Sequence, residues 1–274
     1  MIINGWRYHN HAAFPSNAPH ESPNLKPIED KTIWKIGNGK AFIARWTSDF
    51  DCMEETSWWY LIRKRPYSIE TLGKKTRKKI MKALDQCYVI KIDPKEYAED
   101  LWRVYQEAAK RYKDFTDADE RKQFIERCMN PPANSDFWAG FEKTTGRMIG
   151  WKECKKISNM VVFAVGKYAT DYLNLGISYA LNHETLNYYL SEKDYIYVTD
   201  GERSVYHNTN VQSFFIEHFG FIKAYCKLHI TYRFPLNIFV KLAYPFRKLL
   251  AGNSGKLRQI KSIMMMEEIA RQNK

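Results

Sequence analysis

The sequence predicts an α+β fold in which a mixed, mostly antiparallel sheet is flanked by helices. Hydrophobic residues make up 45% and charged residues 27% of the 274 residues, a balance typical of a globular protein with a sizeable core. Short apolar runs alternate with longer segments of helical periodicity, which indicates strands and helices in alternation. The clearest single pattern is the apolar and polar alternation from Phe221 to Arg233, which predicts a long strand with one buried face.

An N-terminal extension is predicted over residues 1–87. It begins with a turn-rich arm of about 30 residues, punctuated by proline and asparagine. The elements expected after the arm are hairpin strands at Thr32–Ile36 and Lys40–Trp46 around a Gly-Asn-Gly turn, a strand at Ser57–Ile62 and a helix at Ser68–Leu84. This segment therefore combines β structure with one helix.

The helix at Ser68–Leu84 is strongly basic. Its cations are Lys74, Lys75, Arg77, Lys78, Lys79 and Lys82, with no acid among them. The whole chain carries a net charge of +12 and has a pI near 9.3, which favours anionic partners. Two interpretations stay open for this helix, a solvated face or a ridge that faces tRNA or another polyanion.

The central part of the chain, residues 88–233, contains the densest succession of predicted elements. A strand is followed by two helices, the second of which ends before Asn130 and its two following prolines. The expected order then continues with hairpin strands at Phe137–Phe141 and Met148–Trp151, a strand at Met160–Val165, a helix at Ile177–Leu190, a strand at Tyr195–Thr199, a helix that starts at Asn210 and stops at Gly220, and the long alternating strand.

The stretch from Met160 to Leu190 reads as a buried strand, a loop that ends at Gly176, and a helix. Free amides and the positive dipole end of a helix together favour an anion, most often a phosphate, in such a loop.

With these motifs in this order, residues 88–233 resemble the GNAT superfamily of acyl-CoA N-acyltransferases. The resemblance implies a sheet splayed between two central strands, with acyl-CoA in the gap and its pyrophosphate on the following helix N-terminus. The acceptor is expected to be a primary amine. The cofactor-binding positions that it implies are Val162, Ala164, Lys167, Asn174, Leu175, Gly176, Ile177, Ser178 and Asn210.

Two departures from the family pattern concern the cofactor. Leu173 stands where the pyrophosphate motif has a basic or amide residue, and Ser178 stands at its second small position. Ile216 occupies the position of the tyrosine that the family often keeps as a proton donor. Recognition is therefore expected to rest on the backbone from Asn174 to Ser178.

Residues Trp59–Lys91 add a second resemblance, to the segment that precedes the acyltransferase core in Fem-type peptidyl transferases. This similarity implies a variant of the reaction in which aminoacyl-tRNA is the donor. A third interpretation also stays open, a non-catalytic module of the same fold that binds nucleic acid or an anionic surface.

Catalytic candidates lie mostly in the polar run that follows the strand at Tyr195–Thr199. Asp200 is predicted to act as general base or amine anchor, and His207 as a proton relay, since open sheets place ligands at the ends of their strands. Asp200-Gly201 would also suit an ordinary turn. Glu153 is a third candidate, because it lies in a region where some relatives keep their general base.

A basic, helical C-terminal tail is predicted for residues 234–274, with eight cations against two acids. Its apolar runs fit either a segment that covers the domain or a helix at a membrane surface. The five cysteines show no C-x-x-C spacing, and neither a signal peptide nor a spanning segment is predicted, so a cytoplasmic protein without a bound metal is expected.

Overall fold

The structure, a computed structural model, describes residues 2–110, 118–204, 210–249 and 255–272. Its strands are β1 (Ile2–Ile3), β2 (Trp6–His9), β3 (Ala12–Pro15), β4 (Ile43–Ser48), β5 (Trp58–Lys64), β6 (Cys87–Ile92), β7 (Ser135–Glu142), β8 (Met148–Ile157), β9 (Met160–Tyr168), β10 (Tyr197–Glu202) and β11 (Ile222–Tyr232). Its main helices are α1 (Lys74–Gln86), α2 (Ala98–Ala109), α3 (Ala118–Met129), α4 (Ile177–Asn187), α5 (Val211–Phe219), α6 (Leu236–Ala243) and α7 (Gly255–Gln272).

The chain divides into two compact units, each assembled from separate segments. Unit 1 consists of Met1–Leu61, Glu202–Asn210 and Lys223–Lys274, and unit 2 consists of Ile62–Gly201 and Val211–Ile222. The division into extension, core and tail along the chain remains a prediction.

The sheet of unit 2 has the strand order β10-β9-β8-β7-β6. Strands β6, β7, β8 and β9 pair antiparallel in succession, and β10 then pairs parallel with β9. This parallel step requires a crossover, and α4 supplies it. The mixed and mostly antiparallel sheet predicted from the sequence is confirmed.

Helices cover both faces of this sheet. On one face, α2 and α3 enclose an apolar core that includes Leu101, Phe137 and Trp151. On the other face, α4 lies close to the strands because two neighbouring positions in β7 and β8 are glycine. A Cβ atom on Gly150 would lie 3.0 Å from both Ile177 and Leu181 of α4, so these glycines set how near the helix can approach.

Unit 1 is built around β4, which pairs parallel with β3 and antiparallel with β11. Strands β2 and β3 form a hairpin whose turn residues, Asn10 and His11, have positive φ. In the C-terminal segment, Val240 of α6 is buried, as are Met264 and Ile269 of α7. No helix among the described residues is long and apolar enough to cross a membrane.

The hairpin predicted around Gly37 is wrong. Residues Thr32–Lys35 form a 3-10 turn instead of a strand, and Ile33 and Ile36 are buried in the core of unit 1. The expected second strand does form as β4, but its two edges pair with β3 and β11, so neither edge is left for the preceding residues.

Helix α1 begins at Lys74, six residues after its predicted start. The Ser68 hydroxyl accepts a hydrogen bond from the Glu70 amide and so caps a separate 3-10 turn, Ile69–Thr71. Leu72 and Gly73 then have extended backbone conformations, which separate this turn from the helix. All six cations of the predicted ridge still lie within α1.

Because α4 rests on Gly140 and Gly150, we expect Gly140→Val to lower the free energy of unfolding by about 1–3 kcal/mol. The added Cβ would meet the Ile177 Cδ1 atom. Gly73→Ala is the matched control, since a Cβ there meets nothing within 4 Å. Chemical denaturation of both variants measures the effect, and equal stability would show that α4 does not need the glycines.

Candidate active site

Strands β9 and β10 diverge within unit 2. Their parallel pairing starts at Met160 and Tyr197 and ends at Val162 and Thr199, while β9 continues to Tyr168. Immediately beyond this point β9 has a bulge, since Glu153 of β8 pairs with Val165 and Cys154 pairs with Phe163. Ala164 is therefore the extra residue of the bulge. A bulge leaves such a residue unpaired and increases the local twist, which suits a gap between the two strands.

A buried lysine lies beside the gap. Lys152 of β8 is 2% exposed and donates a hydrogen bond to the Asn182 side-chain oxygen of α4. Its Nζ atom lies 3.3 Å from the centroid of the Phe163 ring. Burial lowers the pKa of Lys152 to about 8, with the charge of Asp200 acting in the opposite direction.

Asp200 lies within β10, one residue beyond the last position that pairs with β9. Burial raises the pKa of its carboxyl group to about 7, and the charge of Lys152 opposes that rise. A carboxyl group in this range is ionised in a large fraction of molecules at neutral pH yet basic enough to accept a proton. The amide of the next residue, Gly201, donates to the Thr199 hydroxyl at 2.9 Å, which holds the backbone where β10 leaves β9.

Tyr168 completes the polar cluster at its other end. Burial raises the pKa of its hydroxyl well above the usual range, and the nearby Asn182 side chain opposes that rise. Asn182 itself is 1% exposed and donates to the Ser178 carbonyl at 2.7 Å. One amide side chain of α4 thus binds Lys152 and lies near Tyr168.

Glu153 does not join this cluster. Successive residues of a strand point to opposite faces, and Glu153 faces α3 while Lys152 faces α4. Its carboxylate is ion-paired with Arg127 and accepts a hydrogen bond from the Ser135 hydroxyl at 2.9 Å. Such a buried and fully engaged carboxylate is poorly placed to act as the general base.

The other predicted site residues lie in several different places. His207 is outside the described residues. Asn210 is exposed before α5, and Lys167 lies towards α2, where its Nζ atom is 5.1 Å from the Tyr105 ring centroid. Of the positions named from the sequence, the structure therefore brings Val162, Ala164 and Asp200 to the gap.

Gly176, in the loop before α4, has a structural role. Gly176 has φ of +75°, and a Cβ atom there would lie 3.1 Å from the Cβ atom of Ala83 in α1. The preceding residues, Thr170–Leu175, form a 3-10 turn. Glycine is therefore required by the left-handed backbone and by the close approach of α1.

Helix α1 also lies over the groove between α4 and α5. Lys79 donates to the Tyr179 hydroxyl at 2.9 Å, and Thr76 is hydrogen-bonded to His218 Nδ1 at 3.1 Å. The Tyr179 ring in the first turn of α4 contacts Phe214 of α5, with ring centroids 5.3 Å apart. The chain's own side chains therefore occupy this groove.

These contacts test the fit of acyl-CoA. The resemblance implies an open cradle at Gly176 and a path between the helices, whereas the structure has Ala83 against the glycine and Tyr179 in the path. These contacts leave less room at the start of α4 than the resemblance implies. Among the described residues, no group of three or more His, Cys, Asp or Glu side chains is placed to hold a metal ion.

Unit 2 has the architecture of the GNAT-like acyltransferases: antiparallel strands, a parallel pair that splays after a bulge, and the crossover helix α4. No protein-family model and no curated protein sequence matches the chain.

Solved structures do resemble it. FemX matches with a TM-score of 0.54 and 8% identity over 73% of this chain and 74% of its own. A conserved protein of unknown function from Bacteroides thetaiotaomicron matches at 0.56 and 16%, over 83% of each chain. L-PGS from Bacillus licheniformis matches at 0.54 and 12%, over 98% of this chain and 86% of its own. The predicted GNAT-like fold with Fem-type similarity is confirmed.

Three residues of the cluster were missed by sequence reasoning, namely Lys152, Tyr168 and Asn182. A lysine in a strand ordinarily lies on the solvent face. The residues two positions before and after Lys152, which share its face of the strand, are however Gly150 and Cys154. That small, uncharged neighbourhood was the one available signal of a buried lysine.

Because Lys152 opposes the effect of burial on Asp200, removing its charge should move the Asp200 pKa further up. We expect Lys152→Met to raise that pKa above its value of about 7. Carboxyl carbon NMR titration measures it without any substrate. Lys155→Met is the control, since Lys155 faces Glu153 at 3.8 Å. An unchanged Asp200 titration in Lys152→Met would contradict the electrostatic coupling.

Proposed function

We propose that this protein is an acyltransferase that takes an aminoacyl group from the ester of an aminoacyl-tRNA and transfers it to a primary amine. The observation that carries the choice of donor is the position of α1. This helix lies over the groove in which an acyl-CoA would be expected, and it turns most of its cations to solvent. The proposal selects one of the three interpretations that the sequence leaves open.

The two sides of α1 differ sharply in character. Thr76, Ile80 and Ala83 are buried, while the exposed side carries Lys74, Lys75, Arg77, Lys78 and Lys82. A row of separated cations suits the repeated phosphates of a nucleic acid backbone better than one compact pyrophosphate. The Fem-type similarity, which implies an aminoacyl-tRNA donor, supports the same choice.

The proposed chemistry is aminolysis of an ester. The acceptor nitrogen attacks the aminoacyl carbonyl, a C–N bond forms, and the C–O bond to the tRNA ribose breaks. The proton lost by the amine goes to the Asp200 carboxylate and then to the departing ribose oxygen. A carboxyl group with a pKa of about 7 can both accept and return this proton near neutral pH.

Two further groups support this step in the proposal. The amide of Ala164, the extra residue of the bulge, is a candidate donor to the oxyanion that develops on the attacked carbonyl. The charge of Lys152 favours the ionised form of Asp200, so that the base is available at neutral pH.

For the donor, we expect tRNA to bind with an affinity that falls as salt rises. The double variant Lys78→Glu/Lys82→Glu should weaken binding by about tenfold or more, because both side chains are exposed on α1. Fluorescence anisotropy of labelled tRNA measures this. Lys95→Glu is the matched control, an exposed lysine of unit 2 outside α1.

The same protein should show no rise in melting temperature with acetyl-CoA or longer acyl-CoAs. A clear stabilisation by acyl-CoA together with no tRNA binding would overturn the choice of donor and favour an acyl-CoA-dependent enzyme. Binding of tRNA without turnover on any amine would favour a non-catalytic module.

For the base, Asp200→Asn should lower kcat/KM for aminoacyl transfer by about 100-fold while tRNA affinity stays unchanged. Asp194→Asn is the matched control, because Asp194 lies just before β10 with a side chain 96% exposed. Release of labelled amino acid from tRNA to an amine acceptor is the readout. Equal rates for Asp200→Asn and the parent chain would remove Asp200 from the mechanism.

A further inference from the structure

The C-terminal segment of unit 1 presents apolar side chains to solvent. In α6 and the 3-10 turn that follows it, Tyr244–Leu249, the exposed large apolar residues are Ile238, Phe239, Leu242, Phe246 and Leu249, and Phe234 lies just before them. Their exposure runs from 49% to 77%. Val240 alone of the large apolar residues in α6 is fully buried, so this helix turns most of its apolar side chains outward. Large apolar side chains exposed in this number over a short segment indicate an interaction surface.

The apolar surface continues into a groove of the same unit. Phe42, Leu236, Phe239 and Ile263 are among its lining residues, and its volume is 440 Å³. Phe239 belongs both to the groove and to the exposed face of α6. The exposed apolar surface therefore extends from α6 into the groove.

Cations accompany the apolar residues. From Arg233 to Met266 the sequence has seven cations and no acid. Lys241 and Lys248 are exposed among the apolar side chains. The acids that follow, Glu267 and Glu268, are ion-paired with Arg271 and Arg247, so they add no free negative charge.

The segment is held in place by packing on α7. The centroid of the Tyr244 ring lies 4.1 Å from the guanidinium carbon of Arg247 and 3.8 Å from that of Arg271. Arg247 also pairs with Glu268 of α7 at 2.9 Å. Its outward apolar side chains are thus presented by a fixed backbone.

From these observations we propose that the surface formed by Phe234, α6 and residues Tyr244–Leu249 docks on a membrane that contains anionic lipids. Large apolar side chains enter the boundary between head groups and acyl chains, and interleaved lysines pair with lipid phosphates. A second copy of this chain fits less well, because a self-complementary contact would bring like charges together. The protein is then a peripheral membrane protein, attached through unit 1.

The test uses the full chain and sedimentation with vesicles. We expect binding to phosphatidylcholine vesicles that contain about one third phosphatidylglycerol, weak binding to pure phosphatidylcholine, and loss of binding as salt rises. Leu242→Ser/Phe246→Ser should lower the partition coefficient by about tenfold or more. Met53→Ser is the matched control, since Met53 is a fully exposed apolar residue of unit 1 outside this surface.

A second variant tests the charge separately. Lys241→Gln/Lys248→Gln should weaken binding to the anionic vesicles by about tenfold and leave the melting temperature unchanged. Equal binding of the parent chain to both kinds of vesicle, or equal binding of Leu242→Ser/Phe246→Ser and the parent, would overturn the proposal. A dimer in analytical ultracentrifugation that Leu242→Ser/Phe246→Ser dissociates, without vesicle binding, would also overturn it and identify an interface between copies.

Discussion

Burial of the Lys152 ammonium group is the constraint on which the rest of unit 2 depends. Removing a charge from water is costly unless other groups compensate it. The Asn182 side-chain oxygen accepts a hydrogen bond from the Lys152 ammonium group, and the Phe163 ring lies against that group. The negative charge of Asp200 favours the protonated form of Lys152. Asn182 reaches Lys152 only because α4 lies close to the sheet, which the glycines of β7 and β8 allow. Helix packing, strand register and the pKa of Asp200 are thereby linked through one side chain.

Helix α1 has two sides of very different character. Ala83 on its buried side packs against Gly176, and Lys79 donates a hydrogen bond to the Tyr179 hydroxyl. The other side of α1 presents five exposed cations, which the proposed function assigns to contacts with a nucleic acid backbone. The gap between β9 and β10, where the reacting groups are expected, begins where the pairing of these two strands ends.

Much of this arrangement could be predicted from local patterns. The alternation of β11 and the left-handed Gly220 after α5 both appear in the structure as expected, because each depends on neighbouring residues in the chain. The hairpin at Gly37 failed because β4 already has partners on both sides, a fact of long-range pairing. Lys152 and the bulge at Ala164 depend on register and on which face a helix covers, and no local pattern encodes either. Asp200 could be named from the sequence because a polar run after an apolar strand is a local feature, although β10 continues through it to Glu202.

The segmental construction of the two units constrains how the protein can be divided. The chain passes from one unit to the other after Leu61, Gly201, Asn210 and Ile222, and the strands β5, β10 and β11 themselves cross these boundaries. No single cut of the polypeptide can therefore release either unit intact. A truncation that removes residues 223–274 would take β11 from beside β4 and expose a strand edge in unit 1. A dissection of this protein must accordingly join the separate segments of each unit with new linkers.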